Sequence, residues 1–372
     1  MRIVRAALHQ VRLPLVHEFQ TSSHRKGFLE HLLVELTDAD GATGWGEVAC
    51  PSDPFYAPDT VETSWLVATR YLLPAVVGTS AEHPSQVADA YARVRGHRFA
   101  GAGVDTAAWS LWTALQGVPL AQALGGTRAE VVAGVSLGIE PTVDDLLAQV
   151  QFHHVEHGYP RVKLKVQPGW DVEPVRAVRA AFGDALLLHV DANGAYTDDP
   201  EHLRALRRLD EFGLTMLEQP FAPRAFTTSA AFQRDVVTPV CLDESIDTLD
   251  DLRTADALGA GRVLNVKVSR MGGLTTARAA HDLAVELGWP AWVGGMHEFG
   301  VGRAANVALS SLPGFTLPSD VSASEKYYAR DVTTPVTADR GVVRVAGVPG
   351  LGVDVDREFL LEHRVRTAEF AG

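Results

Sequence analysis

The first 48 residues alternate between apolar and polar positions, which is the period of β-strands. Three such segments, separated by turn-forming residues, predict an antiparallel meander: residues 2–8, 31–36 and 44–48. From residue 59 to residue 126 the apolar positions follow the period of a helix, as in the stripe of Ala107, Leu111 and Leu115. The first third of the chain therefore predicts an α+β unit.

After residue 130, short apolar segments alternate with amphipathic helical segments. Two of the helical segments begin with ordinary start signals, Thr142 in one and Asp199 with Pro200 in another. The predicted strands are residues 131–139, 161–166, 186–192, 215–218, 239–243, 263–268, 290–295 and 315–321. Eight predicted strands that alternate with helices favour a parallel β/α barrel. An open doubly wound sheet is the alternative, but no Gly-x-Gly-x-x-Gly motif follows an early strand.

The tail of the chain differs from the barrel segment. From about residue 332 the sequence returns to turns, with a short strand predicted at 342–345 and a helix near 356–363. We expect this tail to pack back on the first domain. The predicted organisation is a capping domain at 1–128, a barrel at 129–325 and a C-terminal segment at 326–372.

Composition narrows the class of protein. The 372 residues are 46% hydrophobic and 21% charged, an ordinary globular composition. The chain has 33 basic and 46 acidic residues and a formal charge of −13, so nucleic acid is not an expected partner. No segment approaches the roughly 18 apolar residues that span a bilayer, so we expect a soluble, cytoplasmic protein with no membrane partner. Cys50 and Cys241 are far apart in sequence, and we expect reduced thiols in the core.

An ionisable residue stands at or near the end of five consecutive predicted strands. These residues are Lys165, Asp191, Glu218, Asp243 and Lys267. Each is separated from the next by 26, 27, 25 and 24 positions in turn, which is close to the length of one β/α repeat. Such regular spacing predicts that all five lie at one height around the C-terminal mouth of the barrel, where barrel active sites lie. The two-residue period of a strand places Lys163 on the same face as Lys165.

The three carboxylates of this row come from three successive strands. They form an oxygen-only site of the kind that Mg²⁺ prefers, with positions left for water or substrate. A purely structural network of ion pairs is the alternative, but such a network does not require one member per repeat. Lys165 on the second strand and Lys267 on the sixth lie across the barrel, so they can address opposite faces of a substrate.

These residue types indicate one class of reaction. A divalent ion that chelates a substrate carboxylate lowers the energy of the enediolate that forms when an α-proton leaves. A desolvated lysine near other cations can act as the base near neutral pH. The site therefore predicts α-proton abstraction from a carboxylic acid.

Six short motifs in order resemble the enolase superfamily, and within it most closely the N-acylamino-acid racemase/o-succinylbenzoate synthase family. The motifs occupy residues 162–165, 190–193, 217–220, 242–245, 265–267 and 294–298. The similarity covers nearly the whole chain, including residues 45–47 in the cap and residues 302–306 and 315–318 near the last strand. It implies an α/β fold: a modified TIM barrel, (β/α)7β, with a capping domain built from the N-terminal third and the C-terminal tail.

The resemblance also implies roles for the matching residues. Asp191, Glu218 and Asp243 would bind a divalent metal, Mg²⁺ or, in its place, Mn²⁺ or Co²⁺. Lys165 and Lys267 would be the two acid/base catalysts, and Lys163 would be an assisting cation beside Lys165. Residues expected to contact the substrate or support the metal are Phe19, Thr21, Arg25, Asn193, Met296, His297 and Glu298. The expected partners are a small-molecule carboxylate substrate and further copies of this chain in a homo-oligomer.

The chain departs from the family pattern around its seventh strand. The family usually has an aliphatic residue before the strand-seven Glu and a small or hydroxylated residue after it. Here His297 and Phe299 flank Glu298. This difference bears on which substrate the enzyme accepts, whereas the type of reaction is unaffected.

A second departure lies in the loop that covers the substrate in this superfamily. The loop keeps Phe19 and Thr21 but has polar and charged residues at 23–26, where apolar and small residues are usual. Arg25 and Lys26 form either a solvated loop tip or a recognition site for an anionic acyl group such as a succinyl carboxylate.

The leading hypothesis is a racemase of N-acyl amino acids, N-succinyl amino acids in particular, with one lysine for each face of the α-carbon. The same residues could catalyse the syn-dehydration of o-succinylbenzoate synthase in menaquinone synthesis, or the epimerisation of a dipeptide. A sugar-acid dehydratase is less favoured, because many of these enzymes place a His base where this chain has Glu298. An inactive barrel acting as a scaffold would lack a ligand or a base, and none is missing.

Overall fold

The computed structural model describes residues 1–22 and 25–372, so the polar residues noted at 23 and 24 lie outside the described residues. The described chain is a mixed α/β fold with an antiparallel capping sheet and a curled parallel sheet. Its strands are β1 (Ile3–Gln20), β2 (Arg25–Asp38), β3 (Thr43–Val48), β4 (Glu130–Val132), β5 (Gly134–Leu137), β6 (Arg161–Lys165), β7 (Leu187–Asp191), β8 (Met216–Glu218), β9 (Val240–Leu242), β10 (Val263–Val266), β11 (Ala291–Val293), β12 (Val342–Arg344) and β13 (Arg364–Ala371).

Helices join these strands. The α-helices are α1 (Val61–Val67), α2 (Leu73–Val76), α3 (Arg98–Gln116), α4 (Leu120–Leu124), α5 (Val143–Val150), α6 (Val172–Phe182), α7 (Pro200–Leu209), α8 (Phe226–Asp235), α9 (Leu249–Leu258), α10 (Val268–Met271), α11 (Leu274–Leu287), α12 (Gly300–Ser310) and α13 (Arg357–Glu362). Short 3₁₀ or π-helical segments occupy Ala68–Leu72, Pro84–Tyr91, Gln151–Glu156, Asp210–Phe212 and Ser324–Lys326. Thr142 and Asp199 cap α5 and α7 as predicted, accepting hydrogen bonds from the backbone nitrogens of Asp145 at 3.1 Å and Glu201 at 2.7 Å.

The capping sheet has the strand order β13–β1–β2–β3, and all its pairs are antiparallel. The tail therefore returns to the N-terminal sheet, as expected, but it does so through β13, which the sequence analysis missed. None of the residues of β13 is fully buried, so the strand lacks the apolar face that would reveal it. On the other side, β3 lies against α3: a Cβ on Gly46 would stand 2.0 Å from the carbonyl oxygen of Gly103, so only glycine permits this approach.

The parallel sheet has the order β5–β6–β7–β8–β9–β10–β11. The predicted eighth strand is not a regular strand, but its residues close the ring through parallel bridges from Phe315 to Ala291 and from Ser319 to Ala133. The predicted first strand is divided in two, because β4 pairs antiparallel with β12 and only β5 joins the barrel. The domain boundaries at 128 and 325 stay predictions.

Apolar side chains from β8 to β11 pack together. One small cluster consists of Met216, Cys241, Val263 and Trp292. Cys50 and Cys241 are free and buried, as expected. Within the described residues, no helix has the length and apolar character required to cross a membrane.

Glu47 links the cap to the barrel. Its buried carboxyl group accepts hydrogen bonds from the backbone nitrogens of Phe299 at 2.9 Å and Gly302 at 2.7 Å, where α12 begins, and lies 2.6 Å from Nδ1 of His31. The first N–H groups of a helix have no partner within the helix, so an acceptor from the cap sheet satisfies them.

We expect Glu47→Ala to lower the free energy of unfolding by about 2–4 kcal/mol, because each buried donor that loses its acceptor costs about 1–3 kcal/mol. Glu47→Gln keeps an acceptor oxygen and serves as the control with a smaller loss. Urea unfolding of the three proteins measures the difference. Equal stability of wild-type protein and Glu47→Ala would show that this contact does not join the two parts.

Candidate active site

The barrel register brings the predicted charged residues into one row at the C-terminal edge of the sheet. Lys165 is paired with Asp191 across β6 and β7, and Asp191 with Glu218 across β7 and β8. Asp243 directly follows β9, and Lys267 directly follows β10. All five side chains are buried. Lys165, Asp191 and Glu218 therefore stand side by side, while Glu218 pairs with Cys241 and Asp243 and Lys267 stand just past the ends of the next two strands, so all five lie at the C-terminal edge that the spacing predicted.

Lys163 lies among three carboxylates. Its Nζ is 2.8 Å from Asp320, 3.2 Å from Glu218 and 3.6 Å from Asp191, and it lies over the ring of Trp292. Burial by itself lowers the pKa of Lys163, but the three carboxylates, Asp320 foremost, raise it well above its usual range. Three carboxylates therefore surround the ammonium group of Lys163.

Lys165 is held at the mouth by two neighbours. Its Nζ lies 2.6 Å from Oδ2 of Asp191 and donates to Oδ1 of Asn193 at 2.6 Å. Asn193 also binds Oδ1 of Asp191 through its backbone nitrogen at 3.0 Å and Oε1 of Glu244 through its side-chain amide at 2.8 Å. Burial, together with the charges of Asp243 and Asp191, raises the pKa of Glu244 to about 8. Asn193 thus orients the catalytic candidate and a metal-ligand candidate together.

A second cluster surrounds Lys267 on the other side of the ring. Its Nζ is 2.9 Å from Oδ2 of Asp243 and 2.8 Å from the hydroxyl of Tyr56, which comes from the cap. Arg270 forms an ion pair with Oδ1 of Asp243 and donates to the Tyr56 hydroxyl at 3.0 Å. Although burial by itself raises the pKa of Asp243, Arg270 and Lys267 hold it well below its usual range. Burial lowers the pKa of Lys267 in turn, but Asp243 raises it well above its usual range.

Three side chains fix Glu218: Lys163, whose Nζ lies 3.2 Å from Oε2, and the side chains of His189 and Asn265. His189 Nε2 lies 2.8 Å from Oε2, and the amide of Asn265 donates to Oε1 at 2.6 Å. Burial, with the nearby charges of Arg161 and Lys163, holds the pKa of His189 well below its usual range. A neutral imidazole then donates its Nε2 proton to the carboxylate.

The candidate metal ligands fit a divalent ion by their chemistry, since Mg²⁺ prefers carboxylate oxygens. In the structure Asp191, Glu218 and Asp243 are each paired with a cationic side chain instead. Across residues 1–22 and 25–372, no three His, Cys, Asp or Glu side chains are grouped so as to hold a metal ion. In the same part of the chain, the buried oxygens Oε2 of Glu244 and Oδ1 of Asn265 have no hydrogen-bond partner. The three carboxylates therefore fit a divalent ion by their chemistry.

A cavity of about 680 Å³, including its opening, lies between the cap and the barrel mouth. Lys165 and Lys267 both line it. Between β6 and β10 there are three positions of the ring on either side, so the two lysines come from opposite strands. Most of the predicted substrate-contacting residues also line this cavity: Phe19, Thr21, Asn193, Met296 and His297.

Arg25 and Glu298 do not line the cavity. The side chain of Arg25 is 67% exposed and forms an ion pair with Glu18. Glu298 is buried, and its carboxyl group accepts hydrogen bonds from the backbone nitrogen of Met296 at 2.8 Å and from the amide of Asn306 at 3.0 Å. Glu298 is therefore placed to hold the turn that carries Met296.

His297 forms part of an aromatic wall of the cavity. Its ring lies edge-on to Phe19 at 4.3 Å and stacks on Tyr327 at 4.8 Å between centroids. Burial, together with the charges of Lys326 and Lys165, holds the pKa of His297 well below its usual range. The stacked imidazole of His297 therefore shapes the wall of the cavity.

Three residues of the site escaped sequence reasoning. Tyr56 lies in the cap, in a segment without regular periodicity, so nothing in the sequence links it to Lys267. Arg270 stands one helical turn after Lys267, and that spacing was a signal. Asp320 stands near the end of the predicted strand at 315–321, so extending the strand-end rule to the eighth strand would have found it.

The two parts of the chain match two known protein families. The family described as "Mandelate racemase / muconate lactonizing enzyme, N-terminal domain" matches residues 3–125, and the family described as "Enolase C-terminal domain-like" matches residues 145–359. The chain belongs to the enolase superfamily. As a member, it is an enzyme, and its cap and barrel are those of the superfamily.

Individual relatives of this superfamily member cover nearly its full length. It is 45% identical over 371 residues to an o-succinylbenzoate synthase from Geobacillus kaustophilus, covering 97% of this chain and 98% of that protein. It is 42% identical over 364 residues to an N-succinylamino acid racemase from Amycolatopsis sp, covering 97% of each chain. A solved enolase-superfamily protein from Listeria innocua superposes with a TM-score of 0.94 at 33% identity over 99% of both chains. Both reactions occur among relatives of nearly equal identity.

Proposed function

We propose that this enzyme racemises N-acyl amino acids, N-succinyl amino acids in particular, by proton transfer on two faces of the α-carbon. The observation that carries this proposal is that Lys165 and Lys267 line one cavity from opposite strands of the ring. A planar deprotonated carbon between two amino groups can be protonated from either side, which inverts its configuration.

Asp191, Glu218 and Asp243 would hold the divalent ion, which in this superfamily is usually Mg²⁺. When bound, such an ion stabilises the negative charge on the carboxylate of the deprotonated substrate, an enediolate. The chain's own residues orient these ligands. His189 and Asn265 fix Glu218, and Asn193 fixes Asp191.

Each catalytic lysine has a neighbour that sets its direction. Asn193 orients Lys165, and the hydroxyl of Tyr56 orients Lys267. In one direction of the reaction Lys165 takes the α-proton while Lys267 gives one to the opposite face, and the roles exchange in reverse. Lys163 keeps its proton and places positive charge beside the developing anion.

The second candidate is the o-succinylbenzoate synthase reaction, a syn-dehydration. Relatives with this name reach 45% identity, and the same two lysines could catalyse it. In that reaction one lysine acts first as base and then as acid, while the other stabilises the anion. The two reactions therefore differ in whether the second lysine exchanges a proton with the α-carbon.

Assays of the wild-type protein with added Mg²⁺ distinguish the racemase reaction from the synthase reaction. We expect optical rotation of single-enantiomer N-succinyl amino acids to decay to zero, and α-deuterium to appear from either enantiomer in D₂O. N-acetyl and free amino acids serve as comparison substrates. Dehydration of the synthase substrate without α-exchange in either enantiomer would overturn the racemase proposal.

A further inference from the structure

Among the described residues, three lysines and no Asp or Glu side chain line the cavity. Two of these lysines, Lys165 and Lys267, pair with Asp191 and Asp243. The third is Lys26, which the cap contributes. Among the described residues it forms no hydrogen bond or ion pair through its side chain, and Asp53, whose charge acts on it, does not line the cavity.

Strand geometry separates Lys26 from its neighbour Arg25. In the β1–β2 pair, Lys26 stands opposite Phe19, and Arg25 stands opposite Gln20. Successive residues of a strand point to opposite faces, so Lys26 lies beside Phe19 on the cavity side while Arg25 points outward to pair with Glu18. The two cations that the sequence could not distinguish thus have different surroundings.

Part of the wall of the cavity that Lys26 lines is apolar. Leu15, Leu29 and Pro51 line the same cavity, and the side chain is partly buried. Burial lowers the pKa of Lys26, although Asp53 acts in the opposite direction. A desolvated cation without a close anion is unfavourable, and an anionic group in the cavity would compensate it.

We propose that Lys26 binds a second carboxylate of the substrate, the terminal carboxylate of a succinyl-type acyl group, and so determines acyl specificity. The reacting carboxylate lies at the barrel mouth near Lys165 and Lys267, and the acyl chain extends from there toward the cap. This inference rests on the proposed function for the position of the reacting end. It assigns the anion recognition to Lys26 and not to Arg25.

Matched substrates and variants test this assignment. N-succinyl-phenylalanine is compared with its succinamoyl analogue, in which a neutral amide replaces the terminal carboxylate. We expect Lys26→Met to lower kcat/KM about 10- to 50-fold for the succinyl substrate and little for the succinamoyl substrate, because only the former loses a charge-assisted hydrogen bond. Arg25→Met, which removes the adjacent charge outside the cavity, is expected to keep the wild-type ratio of the two substrates. Equal losses on both substrates in Lys26→Met, or an altered ratio in Arg25→Met, would overturn the assignment.

A binding experiment separates this inference from the reaction itself. Calorimetric titration of 2-succinylbenzoate and N-succinyl-phenylalanine, each against its terminal amide, requires no turnover. We expect wild-type protein to bind the acids more tightly than the amides, and Lys26→Met to lose this preference. If no N-acyl amino acid is racemised but the preference disappears in Lys26→Met, the racemase proposal fails and the role of Lys26 stands. If wild-type protein binds acid and amide equally, or binds neither, the role of Lys26 fails, whatever the reaction is.

Discussion

Lys267→Ala protein is expected to exchange the α-proton of only one enantiomer of an N-succinyl amino acid with solvent, and Lys165→Ala protein that of the other enantiomer. The reason is that the two lysines line the cavity from opposite strands, so each serves one face of the α-carbon. Racemisation requires both faces and should disappear in both variants. Removal of a general base typically costs about 10²- to 10⁴-fold, so exchange on the remaining face should stay measurable.

Deuterium incorporation followed by NMR on separate D and L substrates measures this effect. The matched control is Lys163→Met, which removes a neighbouring cation of the same cluster. Because Lys163 is held among carboxylates and acts on the anion as a whole, its loss should slow exchange from both enantiomers alike. Both alanine variants retain a cation beside the affected carboxylate, Lys163 near Asp191 and Arg270 near Asp243, which favours an intact fold. Equal loss of exchange from both enantiomers in each alanine variant would contradict the assignment of one lysine to each face.

Asp243→Asn protein is expected to lose both metal binding and turnover. The substitution keeps the size of the side chain and removes the charge that a divalent ion requires. At a metal concentration 100 times the dissociation constant, a bound ion raises the free energy of unfolding by about 2.7 kcal/mol. We expect wild-type protein to show such a stabilisation with Mg²⁺ and Asp243→Asn to show none. Full activity after exhaustive chelation would refute the metal proposal.

A control variant distinguishes a metal ligand from any buried carboxylate. Asp320→Asn removes a carboxylate that pairs with Lys163 and Arg161 but is not among the proposed ligands. Each substitution leaves buried cations without their anion, which costs about 3–5 kcal/mol of stability in itself. The comparison therefore uses only the increase in the free energy of unfolding that Mg²⁺ causes in each variant. Asp320→Asn should retain that increment, and its loss there as well would indicate a general effect of charge.

The local features of this protein were predictable from its sequence. The strand-end spacing predicted that Lys165, Asp191, Glu218, Asp243 and Lys267 lie at the C-terminal ends of neighbouring strands, as they do in the structure. The helix caps at Thr142 and Asp199 were also correct. The strand ends recur once per β/α unit, and each helix cap involves residues two or three positions apart, so the sequence alone determines these features.

Contacts between distant segments were decided only by the tertiary structure. The hydroxyl of Tyr56 reaches Lys267 across 211 positions of the chain, and the Glu47 carboxyl reaches the start of α12 across 252. Likewise, Arg25 and Lys26 are indistinguishable as charges in a sequence, and the pairing of β1 with β2 places one in solvent and the other in the cavity. Periodicity determines which residues share a face of one element. Which element that face meets depends on how the cap packs on the barrel, and no local pattern encodes that packing.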